Sequence, residues 1–554
     1  MSRKRAIPKY LLKRYIFYYV SLILILLATL FLVFVNLPKT TQNARKKYEQ
    51  NDVQSREIAL RVRDKLNAGE GLELDAQAQK TCILGKEGEA LCLLASQQMQ
   101  NMKEAHFLAS SAQALTQSQR QQIKVVLVAQ EHLSLEEIRA LEELVAQGKH
   151  VVFLRMPEPE LLAQQQVREF LGTRDYRGRQ KYTGYRTAGE LMLGAVREQE
   201  EAEFTASAVT LGRRTKVFCS ALLEEEGIKN EELPPLIWRY IPDGGGGSVY
   251  VCNGDLYSSP FGYGVIAALY CDMQQTYLYP IVNAYCFFVE GMPYQQNVES
   301  EVLREWYSRD ALGLQRDLLF PQLKRCGDRY GVRTTWYTEQ YDAVLSSQRG
   351  DLAYLRTEID ATGGELGASS GGELRAGTLL RSVALPWTPG FGFRSQQKSE
   401  TTLPILLPDV LQNDAQRMNL NGMARGTGFL SVSLQIEPFV FAQDTSRPEY
   451  NWASYCLDLE TVLGVHQQDY GFLDRVTASD AAERVAEFLV MKPSYRYEQE
   501  GVSVTIENFG SAAYFIMKSS REIGEVENGE AEQIGNHLYL IRAEQPSLYI
   551  RYQK

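Results

Sequence analysis

The segment Lys124–Pro157, KVVLVAQEHLSLEEIRALEELVAQGKHVVFLRMP, carries the pattern that sets the fold class. A short β-branched run, VVLV, leads into apolar residues at helical spacing (Ile138, Leu141, Val145) and then into a second buried run, VVFL. Ser134 with Glu137 predicts a capping box at the helix start, and Gly148 predicts its end. Strand, helix and strand in that order make a β-α-β unit, whose parallel strands need helical cover. LCLLAS before it, and SVYVCNGDL with the helix-like GYGVIAALYCDM after it, extend the alternation to about Gln275. The expectation over residues 75–276 is parallel α/β layering with helices on both faces.

Working outward, the N-terminus is of another kind. From Tyr15 to Leu37, YIFYYVSLILILLATLFLVFVNL contains no charged residue and exceeds the ~20 residues that cross a bilayer core as a helix. Arg3, Lys4, Arg5, Lys9, Lys13 and Arg14 precede it, against Lys39, Arg45, Lys46 and Lys47 after it. The positive-inside rule therefore predicts a cytoplasmic segment 1–14, a single span 15–37 and an extracytoplasmic remainder. A cleaved signal peptide is the rival reading, but its apolar core is usually about 7–15 residues and ends at small side chains. Residues 38–74, polar with helical spacing at Val53, Ile58, Val62 and Leu66, read as a stalk.

A net charge of −9 argues against nucleic acid as a partner. The eight cysteines are too dilute for a disulfide scaffold and show no metal-ligand spacing. Cys82 and Cys92, flanking GKEGEA in a hairpin-like stretch, are the one pair that the spacing suggests as a bridge.

From residue 277 to 492 strand-like runs again alternate with helical ones: YPIVNAYCFFVEG, a helical stretch Val298–Tyr330, RTTWYT, GGELGASSGGEL, LRSVALPW, LPILLP, FLSVSLQIEPF, WASYCLDLETVLGVH and SDAAERVAEFLV. That order implies a (β/α) barrel or a deformed one, with working groups just after the C-terminal ends of the strands. Residues 493–554 change to period-two alternation, which predicts a small antiparallel, β-sandwich-like module.

Two resemblances follow. The first domain resembles glutamine-amidotransferase-like α/β domains, yet no Cys stands in a Gly-x-Cys-x-Gly turn, and His132 and His150 lie on a helix approach and a strand start. GGGG at 244–247 precedes a strand, so the helix N-terminus that would hold a phosphate is missing. A binding or scaffolding domain is expected. The second resemblance rests on YPIVNA running into an acidic-Gly-Met-Pro turn, RTTWYT, GGELGASSGGEL and the late WASYCLDLETVL…DYGFLDRVTASDAAERV. These phrases resemble an uncharacterised bacterial membrane-anchored family with a polysaccharide-deacetylase-like (NodB-like) barrel, related to Pel-type exopolysaccharide biosynthesis proteins.

The resemblance implies a site to compare position by position. Metal-dependent deacetylation needs a divalent ion, commonly on one Asp and two His, with an Asp base and a late His acid. Where the family has an Asp pair, this chain has Glu290 and Gly291; where it has His-x-x-x-His, this chain has Ser369, Ser370, Gly371, Gly372 and Glu373. The late strand offers Gln435 and Glu437 instead of an acid His. The five histidines, at 106, 132, 150, 466 and 537, fall outside all these positions. Serine and glycine are poor transition-metal ligands, so no metal and no cofactor are expected.

Glu290 and Glu437 remain as candidate catalytic carboxylates: facing each other at about 5–9.5 Å, they would suit a glycoside hydrolase. Trp336, Trp387 and Trp452 are candidate ligand-binding platforms for sugar rings, although core packing suits them as well. The favoured expectation is a single-pass extracytoplasmic pseudo-deacetylase in cell-surface polysaccharide biosynthesis or export, binding glycan or partner subunits. An active carbohydrate enzyme and a structural or sensory membrane protein are the rivals.

Overall fold

The computed structural model describes residues 80–553 apart from 131, 189–190, 194–196, 224–232, 245, 255–256, 258, 294–299, 339–357, 369–381, 386–400, 405–410, 412–413 and 441–450. The chain divides into two compact units, residues 1–61 and 62–554, and every described residue belongs to the second. The expected span 15–37, the stalk, Ser369, Glu373 and Trp387 lie outside the described residues. No described helix is long and apolar enough to cross a membrane.

The first sheet contains β1 (Thr81–Leu84), β2 (His106–Ala109), β3 (Val125–Val128), β4 (His150–Phe153), β5 (Thr173–Thr187), β6 (Arg197–Leu211), β7 (Thr215–Ala221), β8 (Pro235–Tyr240) and β9 (Ser248–Cys252). Its order is β2-β1-β3-β4-β9-β8-β7-β5-β6. The first five strands are parallel, and from β9 onward the ladder is antiparallel. The sheet is therefore mixed, where the sequence predicts a parallel one. Helices α1 (Ala90–Asn101), α2 (Leu135–Ala146) and α3 (Phe261–Met273) cover its parallel half. The capping box of α2 is present: Glu137 N donates to Ser134 Oγ at 3.2 Å, and Ser134 N donates to Glu137 Oε2 at 2.7 Å.

Side chains that alternate along β1 go to opposite faces. Cys82 and Leu84 join Val126, Val151 and Phe153 under Ile138 and Leu141 of α2. Ile83, Leu127 and Val152 pack on the other face with Cys92 of α1. The expected Cys82–Cys92 bridge is thus overturned. One thiol is on a strand and the other on a helix, in cores on opposite sides of the sheet, and all eight cysteines are free.

The run YPIVNAYCFFVE is two strands and not one. β10 (Thr276–Ile281) and β11 (Ala284–Glu290) are separated at Asn283, which takes φ +57°. β11 enters a parallel sheet with β12 (Thr334–Thr338), β13 (Glu365–Ala368), β14 (Ser382–Leu385), β15 (Thr401–Pro404) and β16 (Phe429–Gln435), in the order β15-β14-β13-β12-β11-β16. Every side chain of β11 from Ala284 to Val289 is buried, as in a sheet covered on both faces. Among the described residues no ladder joins β15 to β16.

The helices of this part are α4 (Glu301–Tyr307), α5 (Phe320–Tyr330), α6 (Asp414–Gly426), α7 (Glu437–Val440), α8 (Trp452–Tyr470) and α9 (Ala478–Val490). The expected long helix Val298–Tyr330 is broken into α4, a short turn at Ala311–Leu314, a π-helical turn at Gln315–Leu319 and α5. β10 pairs antiparallel with β19 (Ala513–Ser519) in a sheet completed by β22 (Leu538–Ala543) and β21 (Gly529–Gly535). A fourth sheet holds β17 (Lys492–Tyr497), β18 (Gly501–Glu507), β23 (Ser547–Tyr552) and β20 (Ile523–Glu527).

Helix α6, whose two glycines and two asparagines give it low intrinsic propensity, exists because of what it packs on. A Cβ on Gly264 of α3 would lie 2.8 Å from the Gly422 Cα, and one on Gly422 would lie 2.3 Å from the Phe261 Cα. The two backbones cross at a distance only glycine permits. Gly422→Ala is expected to cost about 1–3 kcal/mol by forcing the helices apart. A denaturant melt checks this, and an unchanged midpoint would remove the crossing as a determinant of stability.

Candidate functional site

The C-terminal rim of the parallel sheet begins at Glu290, half-buried at the last position of β11. Register sets it beside Tyr337 of β12 and Gln435 of β16. The chain then turns through Gly291, at φ +79°, and the cis bond Met292–Pro293. Both Gly291 N and Met292 N donate to Tyr337 O, at 2.8 and 3.0 Å, and Thr338 Oγ1 donates to Pro293 O at 2.8 Å. The acidic-Gly-Met-Pro turn is thereby folded against the end of β12. On the other side Ile436 N donates to Glu290 O at 3.1 Å. Glu437 opens α7 and is exposed, and a Cβ on Gly291 would come within 3.9 Å of the Glu437 backbone N.

Glu290 and Glu437 thus share one rim, Glu290 ending β11 and Glu437 opening α7 two residues after the end of its neighbour β16. The exposed Glu437 carboxylate can accept hydrogen bonds from sugar hydroxyls beside the exposed side-chain amide of Gln435, whereas Glu290 Oε1 is buried. Glu437 also sits where a helix N-terminus favours negative charge.

Glu365, the acid of GGEL, is at the other end of the sheet. It starts β13, is buried, and its Oε1 accepts from Ser479 N at 3.1 Å. Thr335 Oγ1 accepts from Ala478 N at 2.9 Å. Two strands together hold the first turn of α9, with a carboxylate aligned to its dipole. Gly364, just before β13, leaves room for β12, since a Cβ there would meet Thr334 O at 2.7 Å. This anchoring role is not legible in GGEL alone, because a strand-start glutamate and a strand-end one look alike.

Trp336 and Trp452 are interior. Trp336 is 3% exposed with its ring 5.1 Å from Phe320, and Trp452 is 1% exposed with its ring 5.3 Å from Phe439. Neither presents a face to a sugar.

The histidines lie away from the rim. His106 bonds Ser96 at 2.8 Å, His132 pairs with Glu158 at 2.7 Å, and His150 bonds Ser248 at 2.8 Å, all in the first α/β part. His466 of α8 bonds the Tyr285 hydroxyl at 2.7 Å. Tyr285 is second in β11, five residues before Glu290, so this contact is roughly 16 Å from the rim at ~3.3 Å per residue. Among the described residues one cluster has metal-ligand chemistry, Cys326 of α5 with Cys456 and Glu460 of α8, its ligand atoms within 4.8 Å of one another. It lies on helices, and the Glu460 carboxylate is already held by Arg325 at 2.7 Å and Arg329 at 3.0 Å.

Residues 439–540 match a family described as an uncharacterised protein conserved in bacteria (DUF2194). No curated protein matches the chain. Among solved structures, the carbohydrate deacetylase Agd3 is similar at a TM-score of 0.49 and 9% identity, covering 86% of this chain and 99% of that one. A ThuA-like protein from Bacteroides uniformis gives 0.23 and 13%, covering 32% of this chain and 82% of its own. A glutamine amidotransferase from Thermotoga maritima gives 0.22 and 9%, covering 35% and 83%.

Proposed function

We propose that this chain is a non-catalytic, pseudo-deacetylase component of cell-surface polysaccharide biosynthesis or export, anchored by residues 15–37 with its N-terminus cytoplasmic. On this reading the parallel-sheet part descends from a deacetylase-like barrel, the first part is a scaffolding α/β domain, and the rim binds glycan or a partner subunit. The observation that carries it is the composition of the rim. All five histidines are described and none is at the described part of the rim, where Glu290 ends β11 and Glu437 opens α7. A carboxylate pair without an imidazole can recognise hydroxyls and lacks the usual donors for a Zn-type site.

Incubating the full-length protein with zinc or cobalt and an N-acetylated amino-sugar oligomer is expected to release no acetate above the protein-free control. Glu290→Gln with Glu437→Gln is expected to weaken retention on the immobilised glycan by about tenfold, two lost charge-assisted hydrogen bonds being worth at least that. Acetate release that depends on metal would overturn the reading. Hydrolysis of the oligomer, abolished by either substitution, would favour the glycosidase alternative.

A further inference from the structure

Arg425, next to last in α6, is 0% exposed, and its Nε, Nη1 and Nη2 atoms are buried with no hydrogen-bond acceptor among the described residues. The Tyr279 ring lies 6.0 Å from the guanidinium, and the Tyr279 hydroxyl donates to the Arg425 carbonyl at 2.6 Å. Neither contact supplies a negative charge. Taking a guanidinium out of water without a partner is strongly unfavourable, so a charged side chain this deep is held for something that meets it.

What it faces is a cavity of about 220 Å³, lined also by Lys216 of β7, Asp272 of α3, Lys518 of β19, Ser520 and Asn536. Asp272 is already engaged: its Oδ2 accepts from Arg239 at 2.6 Å and from the Tyr250 hydroxyl at 2.9 Å, and its Oδ1 lies 3.4 Å from Lys216 Nζ. Lys518 donates to the carbonyls of Gln274 at 2.9 Å and Gln275 at 3.4 Å, and among the described residues it has no carboxylate partner. The charges of Arg425 and Lys518 converge on Cys271: burial raises that thiol's pKa, and both cations pull it the other way. Among the described residues, three cations from three separate parts of the chain surround one space, with a single acid whose charge Arg239 already balances.

We infer that this cavity binds a small tetrahedral oxyanion of the phosphate type, with Arg425 as its buried ligand and Lys216 and Lys518 at its mouth. The volume falls below the ~300 Å³ where drug-sized sites begin. A phosphate or small phosphomonoester suits that space. Cations approaching from several directions, beside the hydroxyl of Ser520 and the amide of Asn536, suit an anion with more than one charge and several oxygens better than a planar carboxylate. The site joins α3, α6 and β19, so an occupant would bind the first α/β part, the parallel-sheet part and the C-terminal sheets at once. It does not depend on the reading of the rim.

The test is thermal unfolding and titration calorimetry of the full-length protein in phosphate-free buffer, with inorganic phosphate, methyl phosphate, acetate and glucuronate as separate arms. Either phosphate arm is expected to raise the midpoint by at least about 2 °C at about 10 mM, and whichever binds more tightly tells free from esterified phosphate. Lys518→Gln is expected to weaken binding about tenfold. Arg425→Met is expected to abolish the response while leaving the phosphate-free midpoint equal or higher, since it deletes an unpaired buried charge. No phosphate shift in the wild type, an equal shift with acetate or glucuronate, or a full phosphate response in both variants would each overturn the assignment.

Discussion

Acidification from pH 6.5 toward pH 3 is expected to remove about 5 kcal/mol of stability through His466 alone. The unfolded chain takes up this proton at the ordinary value of 6.5, whereas burial, with Arg475 and Arg417 nearby, depresses the folded value to about 3. At about 1.4 kcal/mol per pH unit, that gap gives the magnitude. Between those two values the unfolded state binds more protons, so stability falls as pH falls. The contribution is complete above pH 6.5 and gone below about pH 3. The cause is visible around the ring. Its Nδ1 lies 2.7 Å from the Tyr285 hydroxyl, the Arg475 guanidinium sits 3.8 Å over the Tyr285 ring, and Arg475 also donates to the His466 carbonyl at 3.1 Å. A second positive charge has no place there. Urea melts at intervals from pH 7 to pH 4 should show a shallower loss for His466→Gln than for the wild type. Parallel slopes would assign the acid sensitivity to other groups.

Trp452→Ala is expected to cost about 3–5 kcal/mol, the range for emptying a large aromatic site in a core. Its ring stands 5.3 Å from Phe439 and 5.9 Å from Tyr455, its Nε1 donates to Gln322 Oε1, and its backbone N donates to the Tyr307 hydroxyl at 2.6 Å. One residue thereby fastens the start of α8 to α7, α5 and α4. The loss should appear as a lower denaturant midpoint, with Trp452→Phe retaining much of the packing and losing the bond to Gln322. A tryptophan serving as a sugar platform would behave oppositely, losing glycan retention at constant stability.

The sequence made some of this legible for identifiable reasons. Ser134, Glu137 and Gly148 announce α2 because caps are local chemistry. Glu290 could be assigned to a strand end because β11 is an apolar run that stops at a polar residue, whereas Glu437 falls two residues past the end of β16 and opens α7. The hairpin β5–β6 escaped because TRDYRGRQKYTGYRT is largely polar, with several side chains exposed and two glycines, so no period-two stripe survives. α6 escaped because its propensity is poor and its existence depends on α3, about 150 residues earlier in the chain. Arg425 was invisible for the same reason: whether an arginine near a helix end is solvated or entombed is decided by what packs over it. For Trp336 and Trp452 the core reading is the one the burial matches, a choice the sequence left open because an aromatic near a strand or helix end reads alike whether it faces out or in.

The strand β10 has a consequence in time. Its partner β19 lies more than 200 residues further along, with Thr276 opposite Ser519, so a ribosome that has just released β10 must make the whole parallel-sheet part before that edge can be closed. Until then a strand of Tyr277, Leu278, Tyr279 and Ile281 waits with unmet backbone groups, an invitation to the wrong neighbour. The C-terminal residues act less as an appendage than as the final stitch, and a chain cut at 492 would keep every strand of the parallel sheet and still carry an open seam.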